Sequence, residues 1–157
     1  HTDEAGFCLV SSAKRDNMRL LAVVLNSPND TARADDSERL LNYGFRFFET
    51  HELYKAGSSI TELPIYKGES DKITVGILSD QYITIPAGQY QRLSISTKVP
   101  KYVEAPIKKG DAIGELIIKF DGNIIGSRPL YAVQNVSKGG FFACAKDSVA
   151  LMFKRWF

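Results

Sequence analysis

Along the first third of the chain the apolar positions come in two close-set runs, Phe7–Arg15 and Met18–Ser27, separated by Asp16-Asn17. Asp and Asn tolerate the left-handed backbone that a two-residue hairpin turn needs, so the pattern predicts two paired strands. Residues 20–25 (Leu-Leu-Ala-Val-Val-Leu) are apolar without a break, which predicts a strand buried on both faces. After Ser27-Pro28-Asn29-Asp30, a turn ending in a good N-cap residue, the spacing becomes helical from 31 to about 50. There Ala34, Leu41, Phe45 and Phe48 fall near one face, and Leu40, Tyr43 and Phe47 widen the stripe.

From residue 52 the pattern changes to short alternating segments, at 60–66, 72–78, 82–85, 92–99, 114–120 and 124–136, with Gly, Pro, Asp and Asn between them. Asp121-Gly122-Asn123 is a hairpin turn between the last two. Regular short strands with turn signals predict a small β-sandwich or barrel. After Gly139-Gly140, residues Phe142, Ala145, Val149, Met152, Phe153 and Trp156 return to helical spacing, with Lys146, Asp147, Lys154 and Arg155 off that stripe. The expected fold class is therefore α+β. A strand-strand-helix piece occupies 1–51, an all-β sandwich domain 52–138, and an amphipathic helix 139–157.

Composition adds limits. The 157 residues suit one domain or two small ones, and a net charge of +2 gives no reason to expect a nucleic-acid partner. Residues 1–51 carry a formal −2 and residues 52–157 a formal +4, so the basic excess lies in the second part. Two cysteines, Cys8 and Cys144, do not make a disulfide framework, and two histidines, His1 and His51, give no metal spacing. No metal or cofactor is expected. No apolar run approaches the roughly 20 residues that span a bilayer.

Several motifs invite chemistry. Ser11-Ser12-Ala13-Lys14 matches S-x-x-K and Ser27-Pro28-Asn29 matches S-x-N, both pieces of the penicillin-recognising serine set. S-x-x-K works on a helix, where i and i+3 share a face; on a strand the two point to opposite faces. Ser27-Pro28-Asn29 reads as the turn before the helix, and Lys108-Lys109-Gly110-Asp111 reads as a β-turn between strands. Arg33 falls in the first helical turn, where amide ends attract anions. Guanidinium and helix end together suit a bidentate carboxylate, whereas a local pair with an acid such as Asp36 would satisfy the same side chain. The residues alone leave both open.

The stretch "HTDEAGFCLVSSAKRDNMRLLAVVLNSP" followed by "ARADDSERLLNYGFRFFET" resembles the low-molecular-mass penicillin-binding proteins, the serine-type D-alanyl-D-alanine carboxypeptidases. The remainder, from "ELYKAGSSITELPIYKGESDKITVGIL" to "LMFKRWF", resembles that family's C-terminal β domain and its membrane-surface helix. The resemblance implies that Lys-Thr-Gly stands immediately before His1, and that the nucleophilic Ser, its Lys base and the S-x-N Ser all lie upstream. No catalytic residue is then expected in this chain. His1 and Thr2 match the two positions after Lys-Thr-Gly that flank the substrate cleft. Arg33 matches the Arg that faces the substrate's terminal carboxylate.

The parent implied by the resemblance trims the terminal D-Ala from peptidoglycan pentapeptides and is acylated by β-lactams. It lies peripherally on the periplasmic face of the bacterial inner membrane. Its β domain is a stalk, and Phe142, Val149, Met152, Phe153 and Trp156 contact the membrane surface. Two strands and one helix do not cover both faces of residues 20–25, so an upstream half, self-association or swapping is expected to cover them. The rival expectation is a non-enzymatic β-domain binding or scaffold module, a stable piece or half of a split protein.

Overall fold

The computed structural model describes residues 5–140. In chain order the elements are β1 (Phe7–Arg15), β2 (Met18–Ser27), α1 (Asp30–Phe47), β3 (Phe48–Tyr54), β4 (Ser59–Tyr66), β5 (Lys72–Gly76) and β6 (Gln81–Pro86). There follow a 3-10 turn (Tyr90–Arg92), β7 (Leu93–Lys98), β8 (Val103–Glu104), β9 (Ala112–Phe120) and β10 (Asn123–Ala132). The chain is thus mostly β-sheet with one helix among the described residues. It groups into two compact units, one running to Leu53 and taking in Tyr82–Tyr90, the other made of Tyr54–Gln81 and the residues from Gln91 onward. The contiguous division 1–51 and 52–138 does not contain that return at 82–90, which follows from the pairing of β6 with β3.

In the first unit β1 and β2 form an antiparallel hairpin, in register from Arg15↔Met18 to Leu9↔Val24, and its turn holds Asp16 at φ 49°. Helix α1 starts one residue before the expected start, because the cap is Asn29, whose side chain accepts the Ala32 N–H at 2.8 Å. Asp30 is the acidic residue of the first turn, where its charge suits the helix dipole. Met18, Ala22 and Val24 of β2 are buried, and Ser37 is the one residue of α1 in that class. Gly44 lets helix and strand approach closely, since a Cβ there would run into Leu20 Cδ1.

Residues 20–25 are not buried on both faces among the described residues, as expected of two strands and one helix alone: Leu21, Val23 and Leu25, with Val10 of β1, are 55–69 % exposed. Strand alternation turns every second residue away from α1, and nothing among the described residues covers that side. The helix stops at Phe47, and residues 48–54 become strand β3. Phe48 continued the helical stripe in sequence, but it is extended at φ −129° and its N–H closes the helix on Gly44 O. Leu40, Tyr43 and Phe47, which widen the helical stripe in sequence, are exposed at 47–58 %.

The second unit holds six strands in one hydrogen-bonded sheet, ordered β7-β9-β10-β5-β4-β8, rather than the two separate sheets of a sandwich. Its strands still enclose a common core. Leu63 and Ile65 of β4, Ile73 and Val75 of β5, Leu116 of β9 and Leu130 of β10 belong to one cluster, joined by Ile107 and Val136. Four of these are 0 % exposed, and burying an aliphatic side chain of this size stabilises by about 1.5–3 kcal/mol. The β9–β10 turn matches its expected chemistry, with Asp121 at φ 52° and Gly122 at φ 78°. Strand β8 is two residues long, too short for an alternating signal.

Candidate functional site

The start of α1 gathers the residues singled out for anion binding. Arg33 is one turn into the helix, and its Nη1 donates to the carbonyl of Cys8 on β1 at 2.9 Å. Its Nη2 pairs with Asp30, and its guanidinium carbon lies 5.7 Å from the Phe7 ring centroid. The local partner is therefore Asp30, three residues back, and not Asp36. Both acids lie three residues from Arg33, and helical side chains lean toward the N-terminus, which favours Asp30. The side chain of Arg33 stays 29 % exposed beside an Asp30 carboxylate that is 72 % exposed, so solvent reaches the pair. His1 and Thr2 lie outside the described residues, as do Phe142, Val149, Met152, Phe153 and Trp156.

The serine motifs resolve as their secondary structure dictates. Ser11 Oγ hydrogen-bonds Ser37 Oγ on α1, while Lys14 is exposed. Ser12 Oγ accepts from Arg19 Nη1 across the hairpin at 3.0 Å. Among the described residues the partner of Ser11 is thus Ser37, and Lys14 of the motif is not placed as its base. Ser27 is buried at the end of β2, and Asn29 caps α1. Lys108–Asp111 forms a turn closed by Asp111 N–H to Lys108 O at 3.0 Å and Lys108 N–H to Asp111 Oδ2 at 2.8 Å, with Gly110 at φ 96°.

Sequence reasoning missed a cluster on β3. Glu49 Oε1 lies 2.8 Å from His51 Nε2 and accepts the Gly88 N–H at 3.1 Å, and the His51 ring stands 4.5 Å from the ring of Tyr90. Hydrogen bonding to His51 holds the Glu49 carboxyl below its usual range, against some desolvation and with help from the Gly88 N–H. Residues i and i+2 share a strand face, so Glu49-Thr50-His51 would have signalled this pair had 48–54 been read as a strand. Also missed was an open groove of about 590 Å³ in the second unit, lined among others by Ile107, Lys108, Asn135 and Lys138.

Comparison with known proteins gives these features a setting. The family model for the penicillin-binding protein 5 C-terminal domain matches residues 48–138. The carboxypeptidase DacA of Escherichia coli K12 (D-alanyl-D-alanine carboxypeptidase) is 37 % identical over 100 % of this chain, and DacC of the same strain 38 % identical over 99 %. DacA of Haemophilus influenzae is 36 % identical over 100 %. The chain spans 39–40 % of the length of these relatives. Among solved structures, penicillin binding protein 5 from Haemophilus influenzae superposes with a TM-score of 0.82 at 36 % identity, over 88 % of this chain and 41 % of that one. The carboxypeptidase DacD from Francisella tularensis gives 0.62 at 35 % identity, over 88 % and 35 %.

Proposed function

Because the chain belongs to the penicillin-binding protein 5 C-terminal domain family, we propose that it serves as the C-terminal part of a D-alanyl-D-alanine carboxypeptidase. The observation that carries this is an end-to-end likeness to relatives bearing that name, of which the chain spans about two fifths. The reaction is the removal of the terminal D-Ala from a peptidoglycan pentapeptide. An upstream Ser attacks the peptide carbonyl, D-Ala leaves, and water hydrolyses the acyl-enzyme. β-Lactams acylate the same Ser. This chain supplies no nucleophile to that step. Ser11 is engaged with Ser37, and Lys14 is on the other strand face.

Its contribution is at the edge of the cleft. Lys-Thr-Gly precedes His1, so His1 and Thr2 continue the active-site strand beside the substrate. Arg33 faces the substrate's terminal carboxylate from the first turn of α1, where helix amides and a guanidinium both favour an anion. Its contact with the exposed Asp30 gives way to that carboxylate, while the bond to Cys8 O keeps the side chain oriented. The open apolar face of β1 and β2 is the surface on which the upstream part of the enzyme packs. The second unit is a stalk. The segment 141–157 lies in the interface plane on the periplasmic face of the inner membrane, with Phe142, Val149, Met152, Phe153 and Trp156 inward.

The test is the coding sequence upstream of His1. It should read Lys-Thr-Gly immediately before His1, with a S-x-x-K further upstream in a segment of helical pattern. A different triplet before His1 would overturn the assignment of His1, Thr2 and the catalytic strand.

A further inference from the structure

The groove in the second unit has a built floor. Ile107 and Val136 exchange backbone hydrogen bonds at 3.0 and 2.8 Å, and both are buried. Asn135 Oδ1 accepts the Lys109 N–H at 2.8 Å, and Gly68 bridges Lys138. Gly139 N–H then donates to Lys67 O at 2.9 Å, which pins the chain at the groove's edge just before segment 141–157 begins. The described lining residues include the exposed lysines Lys108 and Lys138 and no carboxylate.

The nearby acids are otherwise directed. Glu104 pairs with Lys67 at 2.6 Å, Asp111 Oδ2 takes the Lys108 N–H, and Glu69 Oε1 takes the Ser137 N–H at 3.3 Å. Locally, then, the groove presents two ammonium groups, although Glu69, Asp71 and Asp111 keep the wider region close to neutral.

We propose that this groove is a second membrane contact, in which Lys108 and Lys138 bind the headgroups of an anionic lipid surface. The inference rests on the reading of segment 141–157 as a membrane-surface helix. Lys138 is three residues from Phe141, a separation that extended chain spans in about 11 Å at most. That is comparable to the Debye length of about 8 Å in physiological salt, so a tail lying on the membrane holds these lysines where lipid charge acts on them. Charge complementarity and the point at which the chain leaves the domain both favour a lipid surface over an acidic protein.

The experiment is co-sedimentation of the full chain with phosphatidylcholine vesicles, with and without phosphatidylglycerol, at low salt. Four proteins are compared: the natural sequence, K108Q/K138Q, K98Q/K119Q and F153S/W156S, each checked for folding by circular dichroism and thermal midpoint. Lysines near an anionic surface imply that K108Q/K138Q lowers partition onto phosphatidylglycerol vesicles about 30-fold. Partition onto phosphatidylcholine alone should not change, and K98Q/K119Q, with the same net charge, should stay near the natural sequence. Unchanged binding by K108Q/K138Q overturns the groove, and so does an equal loss in both lysine pairs. Displacement by inorganic phosphate, beyond that by chloride at equal ionic strength, also overturns it, since it marks a soluble-anion site. The tail reading fails separately, when F153S/W156S binds as the natural sequence does.

Discussion

Leu21 offers a measure of what the first unit lacks. It is 67 % exposed on the open face of the hairpin, so only about a third of its side chain is withdrawn from water among the described residues. Full burial of a leucine is worth about 1.5–3 kcal/mol, so Leu21→Ala in the 157-residue chain should cost about 0.5–1 kcal/mol. If an upstream part packs on that face in the complete polypeptide, as proposed above, the same change opens a cavity there and should cost about 2–5 kcal/mol. The gap between the two contexts is therefore about 1–4.5 kcal/mol. Urea unfolding followed by circular dichroism on both polypeptides measures it, and hydrogen exchange at the buried Val24 amide reports whether the hairpin itself is what opens. A cost that is the same in both contexts would refute the idea that this face is covered upstream. A large cost in the short chain alone would point instead to self-association through the hairpin.

Two further outcomes follow from charged groups. The carboxyl of Glu49 titrates lower in the folded state than in the unfolded one, so it contributes stability above the ordinary carboxylate range near pH ~4.3, which is lost as the pH falls through its depressed value. Glu49→Gln should accordingly lower the thermal midpoint near neutrality, and the difference from the natural sequence should shrink toward low pH; a constant difference would mean a loss of packing alone. In the complete enzyme Arg33→Ala should cost about 1.5–3 kcal/mol in kcat/KM on substrates with a free terminal carboxylate, with a smaller loss on amide-capped ones. Equal losses would assign Arg33 to holding Cys8 O and Asp30 only.

Much of the fold was legible because local chemistry and global packing agree. The Asp16-Asn17 and Asp121-Gly122 turns, the β1–β2 hairpin and the pairing of β9 with β10 all follow from short-range signals. Strand β3 was not legible, because Phe45 and Phe48 are three apart and continue a helical stripe, while the pairing that makes 48–54 a strand comes from β6, some 35 residues on. The single six-stranded sheet was not legible as such, because alternation predicts a sandwich or barrel from which residues face the core and does not record which strands bond to which. The spacing of Arg33 from the cap put it in the first turn of α1, whereas its choice of Asp30 over Asp36 depends on side-chain direction. The Lys108 and Lys138 groove joins segments nearly thirty residues apart, and no window of sequence contains both.

Labelling with a fluorescent penicillin, run beside D-Ala release from a pentapeptide, tests the central claim most directly when the complete polypeptide and the 157-residue chain are compared. The complete polypeptide should form a covalent adduct and release D-Ala, and the short chain should do neither, since its strand-borne Ser11 is engaged with Ser37 and Lys14 is on the other strand face. A covalent band on the short chain, or a complete polypeptide that takes penicillin but releases no D-Ala, would contradict it.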